Sequence, residues 1–447
     1  MSLKISISGI RGYVPEDLTP EICADFAKAF GTFLGGSKLV IVGTDPRASS
    51  KTIKESVFAG LLSTGCKVID LGICPTPTVG IMVRKLKADG GMIITASHNP
   101  LPWNGLKFIR GNGIFLNEKQ LEKLINIYEN KAFAKSGPGT ITPDPSAIET
   151  HLKKILKIVD VPAIRRKKYK VALDCCNGAG SEICIKLLEG LGCQLKAINC
   201  DVKRPFPHPP EPIAENLTEL SSLIKKERAD IGFALDSDAD RLAIISSDGT
   251  PIGEETTLVL VVKSILAKQN SKSPVKNIVI TNLSTTKAID DIAKEYNGTL
   301  IRTKIGEVHI AEEMEKLDGL IGGEGNGGVI YPPIGLNRDG QTALALVLDY
   351  MAASGKSLAE LINDLPAYHM VKEKIKCKNQ DEVEKMLNKV KLIFKGEELI
   401  VTDGVKVLLP QSWIHVRASN TEPVIRLIAE GKKKQEAKDL IDQVLDS

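Results

Sequence analysis

Gly90-Gly91-Met92-Ile93-Ile94-Thr95-Ala96-Ser97-His98-Asn99-Pro100-Leu101 reads as a buried strand that breaks into a small polar loop. The first five residues form a short apolar run bounded by turn-formers, as in a strand covered on both faces. Pro100 cannot continue a hydrogen-bonded ladder, so the chain leaves the sheet before it. A hydroxyl in a loop at the carboxyl end of a strand is where α/β proteins place reacting groups. The same residue types also build ordinary turns, and this segment alone does not separate the two readings.

Outward from that strand the pattern is an alternation of strands and helices. Residues 3–9 alternate apolar and polar and predict one strand, ending at Ser8-Gly9-Ile10-Arg11-Gly12. Thr19-Pro20 opens a helix, with Thr19 as cap and proline at the first helical position. Strands are expected at 38–42 and 67–71, and helices at 50–63 and after Pro75. The rhythm restarts at the strand 170–174 and again near Glu254, without sequence identity between the rounds. The last stretch differs: alternating strands begin at Lys372, separated by a helix at 379–391 and finished by one at 433–445. The expected fold class is α/β, with three related α/β domains carrying mixed sheets and a C-terminal α+β domain. The expected domains are 1–145, 146–252, 253–366 and 367–447.

Composition narrows the function. A chain of 447 residues with 43% hydrophobic and 26% charged residues is an ordinary globular protein of several domains. A formal net charge of +4 over that length argues against a dedicated nucleic-acid binder. The nine cysteines include no C-x-x-C pair, which points to free thiols in a reducing compartment. No signal-like start and no apolar run of membrane-spanning length stand out. A cytoplasmic protein without membrane partners is expected; monomer and homodimer are both compatible with the sequence.

Three further stretches carry chemistry. Asp236-Ser237-Asp238-Ala239-Asp240-Arg241 follows another buried strand, and three carboxylates at i, i+2 and i+4 can aim oxygens at one hard cation. It is not an EF-hand loop, because counting from Asp236 the sixth residue is Arg241 and the twelfth is Ser247. Mg²⁺ fits best, since it keeps positions open for phosphate oxygens. Gly322-Gly323-Glu324-Gly325-Asn326-Gly327-Gly328 contains G-x-G-x-x-G, but Val329-Ile330-Tyr331-Pro332 starts no helix to cap a pyrophosphate. Glycines around Glu324 and Asn326 instead allow close approach to sugar hydroxyls. Arg417-Ala418-Ser419-Asn420-Thr421-Glu422-Pro423 forms a turn suited to phosphate, with Arg426 following. Taken singly, each could be a solvated or tight turn.

Together, in this order and one per domain, the four stretches resemble the α-D-phosphohexomutase superfamily of phosphoglucomutases, phosphomannomutases and phosphoglucosamine mutases. The resemblance spans essentially the whole chain. It implies four domains around a central cleft, the last one TATA-box-binding-protein-like. It implies a phosphoserine at Ser97, which donates its phosphoryl group to a sugar monophosphate. The hexose 1,6-bisphosphate so formed turns round in the cleft and returns the other phosphate to Ser97. By motif, Asp236, Asp238 and Asp240 hold Mg²⁺ with an oxygen of phospho-Ser97, and Arg241 sits beside them. Lys107, in Asn104-Gly105-Leu106-Lys107, matches the family's lysine for proton transfer or charge stabilisation. Arg11 matches its N-terminal cleft arginine. Glu324 and Asn326 match the readers of the sugar 3- and 4-hydroxyls. Arg417, Ser419, Asn420 and Thr421 match the clamp on the non-reacting phosphate.

Two positions depart from the pattern. Some members carry histidine at the end of the sugar loop, where this chain has Gly328, and the position after Gly306 is Glu307 rather than the frequent His or Asp. His309 is expected to pack in a helix. No proton-transfer base is therefore assigned. Glucosamine phosphate is the preferred substrate, on the chain length and the Gly-Glu-Gly-Asn-Gly-Gly loop; mannose and glucose phosphates are the alternative. A phosphatase with Ser97 as nucleophile and a non-catalytic sugar-phosphate sensor are competing classes. Release of inorganic phosphate, or binding without turnover, would distinguish them from a mutase.

Overall fold

The computed structural model describes residues 3–269, 277–377, 379–419 and 424–446. The described residues form four sheets, one of seven strands, two of four and one of five. The seven-stranded sheet runs, edge to edge, Lys4–Ser6, Gly9–Tyr13, Trp103–Arg110, Gly90–Ile94, Leu39–Thr44, Lys67–Ile73 and Thr140–Pro143. Its last four strands are parallel and the first three join antiparallel, so the sheet is mixed. Residues 3–9 do not form one strand as expected. Gly9, at φ +106°, turns the chain into a hairpin, and Arg11 sits on the returning strand.

The second sheet orders Leu242–Ser246, Ile231–Leu235, Lys170–Asp174 and Gln194–Ile198. The third orders Thr299–Thr303, Ile278–Asn282, Ile321–Glu324 and Gly328–Ile330. In both, the first strand in sequence is flanked by the second and third in parallel, and the fourth closes antiparallel. The centre of the first sheet repeats that order with Leu39–Thr44, Lys67–Ile73, Gly90–Ile94 and Trp103–Arg110. Three units therefore share one winding, and each has a loop between its third strand and the antiparallel fourth. Those loops carry Ser97, the three aspartates and Asn326, with Glu324 at the end of the strand that leads into the last of them.

Burial explains why these strands read as continuous apolar runs. Gly90–Ile94, Ile231–Leu235 and Ile278–Asn282 are buried at every residue, because helices cover both faces of each sheet. The last sheet differs: all its pairings are antiparallel, and its edge strand His369–Lys376 alternates exposed and half-buried residues over its second half. The helix Gln380–Ile393 is capped by Asn379, whose side chain accepts from Glu382 N. Among the described residues no helix is long and apolar enough to cross a membrane. All nine cysteines are free.

Candidate active site

Ser97 is held in the left-handed region at φ +51°, a conformation costing about 1–2 kcal/mol for a residue with a Cβ. Bonds on both sides of it offset that cost. Its N–H donates to Thr95 Oγ1 at 2.8 Å, and Thr95 Oγ1 donates to Asp45 Oδ2 at 2.7 Å. Its carbonyl accepts from Arg47 Nη2 at 2.5 Å and Ser237 Oγ at 2.7 Å. Its hydroxyl, in a residue 1% exposed, donates to Asp236 Oδ2 at 3.2 Å.

Asp45 and Arg47 belong to no sequence motif. Arg47 ion-pairs with Asp45 at 2.9 Å and donates to the carbonyls of Asn99 and Trp103 at 2.7 and 2.9 Å. It stitches the loop from inside. The only signal for them is positional: both follow Leu39–Thr44, the parallel neighbour of Gly90–Ile94, at the same end of the sheet.

The three aspartates are fully buried, and one oxygen of each lies within 4.8 Å of the others'. Asp236 Oδ1 accepts from the N–H groups of Asp240 and Arg241 at 3.1 and 3.2 Å. Asp238 Oδ2 accepts from Thr76 Oγ1 and from Lys107 Nζ, both at 2.6 Å. Asp240 Oδ2 accepts from Arg338 Nη2 at 2.7 Å and lies 3.4 Å from Lys107 Nζ. Asp238 Oδ1 and Asp240 Oδ1 are buried without a hydrogen-bond partner. Two orphaned carboxylate oxygens beside a third carboxylate are the donor set a hard divalent cation completes, so the residues fit Mg²⁺.

The titration directions follow from that crowding. Burial and repulsion from Asp240 and Asp238 hold Asp236 well above the usual carboxylate range. Burial also opposes charge on Asp238 and Asp240, but Lys107 and Arg338 outweigh it and hold both below that range. Lys107 is raised, because Asp238 and Asp240 outweigh its own burial.

Arg11 Nη1 donates to Asn99 Oδ1 at 2.6 Å and to the Ala96 carbonyl at 3.3 Å, placing a second cation against the serine loop. Its burial brings the guanidinium down to about 10. Beside it, the buried Nδ1 of His98 has no hydrogen-bond partner. Arg241, burial and Arg11 push His98 well below its ordinary value, so a neutral imidazole faces the cations. Arg241 itself lies 3.7 Å from Glu211 and 3.9 Å from Asp240 Oδ1.

Glu324 accepts from Asn282 Nδ2 at 3.1 Å and from Arg338 Nη1 at 2.8 Å; Asn326 Nδ2 donates to it at 3.5 Å. Arg338 is the residue at this site that sequence reading misses most completely. Its guanidinium pairs with Asp240, Glu324 and Glu307 at 2.7, 2.8 and 3.0 Å, joining three segments. The space a Cβ on Gly328 would occupy is filled by the Arg338 side chain. A side chain at position 328 would therefore displace Arg338. Glu307 takes the Arg338 N–H as well as Nε, and burial brings its carboxyl up to about 7. His309 lies on the helix Glu307–Leu317 and pairs with Glu118 at 3.4 Å, away from the aspartates.

In the last domain Arg417 and Arg426 face each other across paired strands. Like charges directly opposite repel, so an anion between them would be stabilising. Burial lowers the Arg417 guanidinium from its ordinary value, and Glu324 is among the charges acting on it. Ser419 follows Trp413–Ala418, its N–H donating to the Val424 carbonyl at 2.9 Å. Asn420 and Thr421 lie outside the described residues.

Comparison with known proteins covers nearly the whole chain. Residues 3–135, 149–249 and 254–368 match the phosphoglucomutase/phosphomannomutase α/β/α domains I, II and III, and 371–447 match the C-terminal domain of the same family. A phosphoglucomutase/phosphomannomutase of Thermococcus kodakarensis is 36% identical over 443 residues, covering 97% of this chain and 96% of that one. A phosphoglucosamine/phosphogalactosamine mutase of Sulfurisphaera tokodaii is 35% identical over 444 residues, covering 98% and 97%. The crystal structure of a phosphoglucomutase/phosphomannomutase family protein from Burkholderia thailandensis superposes with a TM-score of 0.85 at 25% identity, covering 98% and 96%.

Proposed function

The chain belongs to the phosphoglucomutase/phosphomannomutase family and is a phosphohexomutase, an isomerase; from that premise we propose that it interconverts glucosamine 6-phosphate and glucosamine 1-phosphate through phospho-Ser97. The observation that carries the mechanism is the Ser97 hydroxyl, 3.2 Å from Asp236 within a buried acidic triad that Lys107 and Arg338 partly neutralise. In the proposed cycle the P–O bond to Ser97 breaks as a new P–O bond forms to the sugar hydroxyl, whose proton leaves. The resulting 1,6-bisphosphate turns round and returns its other phosphoryl to Ser97.

Mg²⁺ bound by Asp236, Asp238 and Asp240 would supply neutralisation of the charge spread over the transferring phosphoryl oxygens. Arg47 and Thr95 fix the serine backbone so that the nucleophile does not reorganise between half-reactions. Lys107, Arg11 and Arg241 surround the loop with positive charge suited to a phosphoryl group. Glu324 and Asn326 would read the sugar 3- and 4-hydroxyls, while Arg417, Ser419, Asn420, Thr421 and Arg426 would hold the phosphate at the far end. The closed setting of Ser97 favours a mutase over a phosphatase, because a phosphoryl group there is shielded from water. We place the enzyme in the cytoplasm, in keeping with nine free thiols.

The substrate rests on the loop Gly323–Gly328 and on the relative from S. tokodaii, whose name covers both phosphoglucosamine and phosphogalactosamine. Activity on mannose and glucose phosphates is the second reading, favoured by the comparable identity of the T. kodakarensis protein. The test is turnover of glucosamine, glucose and mannose 6-phosphates with Mg²⁺ and catalytic 1,6-bisphosphate. Intact mass of the protein checks for phosphate on Ser97. Isomerisation should fall on the order of 10⁴-fold or more in Ser97→Ala. Steady release of inorganic phosphate without sugar 1-phosphate would overturn the reading.

A further inference from the structure

Glu255 opens the helix Glu254–Lys268 and belongs to none of the motifs. Both oxygens of its carboxylate occupy the space a Cβ on Gly325 would fill, so it packs face-on against the middle of the sugar loop, between Glu324 and Asn326. A side chain at position 325 would displace it. Thr286 N–H donates to Glu255 Oε2 at 3.0 Å. Its cation, Lys372 from the last domain, is 3.7 Å away and is shared with Glu254 at 3.6 Å. The side chain keeps 20% exposure, so it is open on one side.

We infer that Glu255 is the specificity-determining residue for the substituent at C2 of the sugar, and that the group it selects is an ammonium, as in a 2-amino-2-deoxyhexose phosphate. The inference rests on the glucosamine reading above and deepens it. C2 is bonded to C3, whose hydroxyl the same loop would read through Glu324 or Asn326. In the orientation that sets the 3-hydroxyl on the Glu255 side of the loop, the C2 group is the next substituent along; after the sugar turns round C5 takes that place, so Glu255 would read C2 in one of the two half-reactions. A neutral C2 hydroxyl would leave that carboxylate with the Thr286 N–H and a Lys372 charge shared with Glu254; an ammonium adds an undivided counter-ion and a charged hydrogen bond. Burial brings the Glu255 carboxyl up to about 7, as for a carboxylate short of positive charge. The hydroxyl readers treat glucose and glucosamine alike, so discrimination needs a separate group of this kind.

The test is the ratio of kcat/KM for glucosamine 6-phosphate to that for glucose 6-phosphate, in the full-length wild type, Glu255→Gln and Glu255→Asp. The ratio should fall by about tenfold or more in Glu255→Gln, through glucosamine turnover alone, and be largely kept in Glu255→Asp. Equal loss on both sugars would overturn the inference and make Glu255 a strut between the loop and Lys372. An unchanged ratio in a variant with wild-type thermal unfolding would overturn it as well. If the wild type isomerises glucose or mannose 6-phosphate but not glucosamine 6-phosphate, the substrate reading itself has failed. Failure of the Glu255 inference alone leaves wild-type glucosamine turnover intact.

Discussion

The Asp236–Arg241 loop and the Gly325–Gly327 turn, with the strand ends Glu324 and Gly328 that it joins, hold the same place in their sheets, between the third strand and its antiparallel fourth, yet they are built on opposite principles. The first brings its own chemistry: three carboxylates crowd together, and charges from outside restrain their repulsion. The second is mostly glycine and lets side chains from elsewhere come in, Arg338 against Gly328 and Glu255 against Gly325. Topology sets where a reacting loop can be; its composition decides whether it supplies groups or admits them. Arg338 touches both, through Asp240 and Glu324, and so ties the acidic triad to the glycine-rich turn.

That link gives the largest expected effect. Arg338→Met strands three buried carboxylates and should cost about 3–5 kcal/mol of stability in urea unfolding, with Arg338→Lys recovering part of it. A loss under about 1 kcal/mol would mean the two loops are independent. Next, Asp240→Asn should lower kcat by roughly 10²–10³-fold while raising the Mg²⁺ concentration needed for half-maximal rate. Saturation with Mg²⁺ at the wild-type concentration would remove the metal from the first loop. Smallest, Glu324→Gln should raise KM by about tenfold, the worth of one charged hydrogen bond, with the Mg²⁺ dependence unmoved. A shift in Mg²⁺ dependence there would show that the sugar loop acts on the metal site through Arg338.

What is legible in the sequence is what fits in a short window. Three aspartates at alternate positions, a serine at a strand end and glycines flanking an acid stand out by type and spacing, and only their joint order along the chain separates them from ordinary turns. The β-α rhythm is equally readable, since strands buried on both faces are uniformly apolar. The first strand departs from its reading because alternation continues through a hairpin, and only the turn at Gly9 divides it. The partners that make the site work are not legible. Arg338 meets Asp240 across 98 residues and Arg47 meets the Ser97 carbonyl across 50, and no periodicity reports such pairings. A buried arginine reads in sequence like any solvated one until the carboxylates around it are placed.

The recurring strand order has a consequence for how the chain can be altered. Three units wound alike each present one loop at the same end of a sheet, so the residues of one loop can change without altering the strands beneath it. The contacts of Thr76, Arg47 and Arg338 run between units, and through them a change in one loop reaches its neighbours.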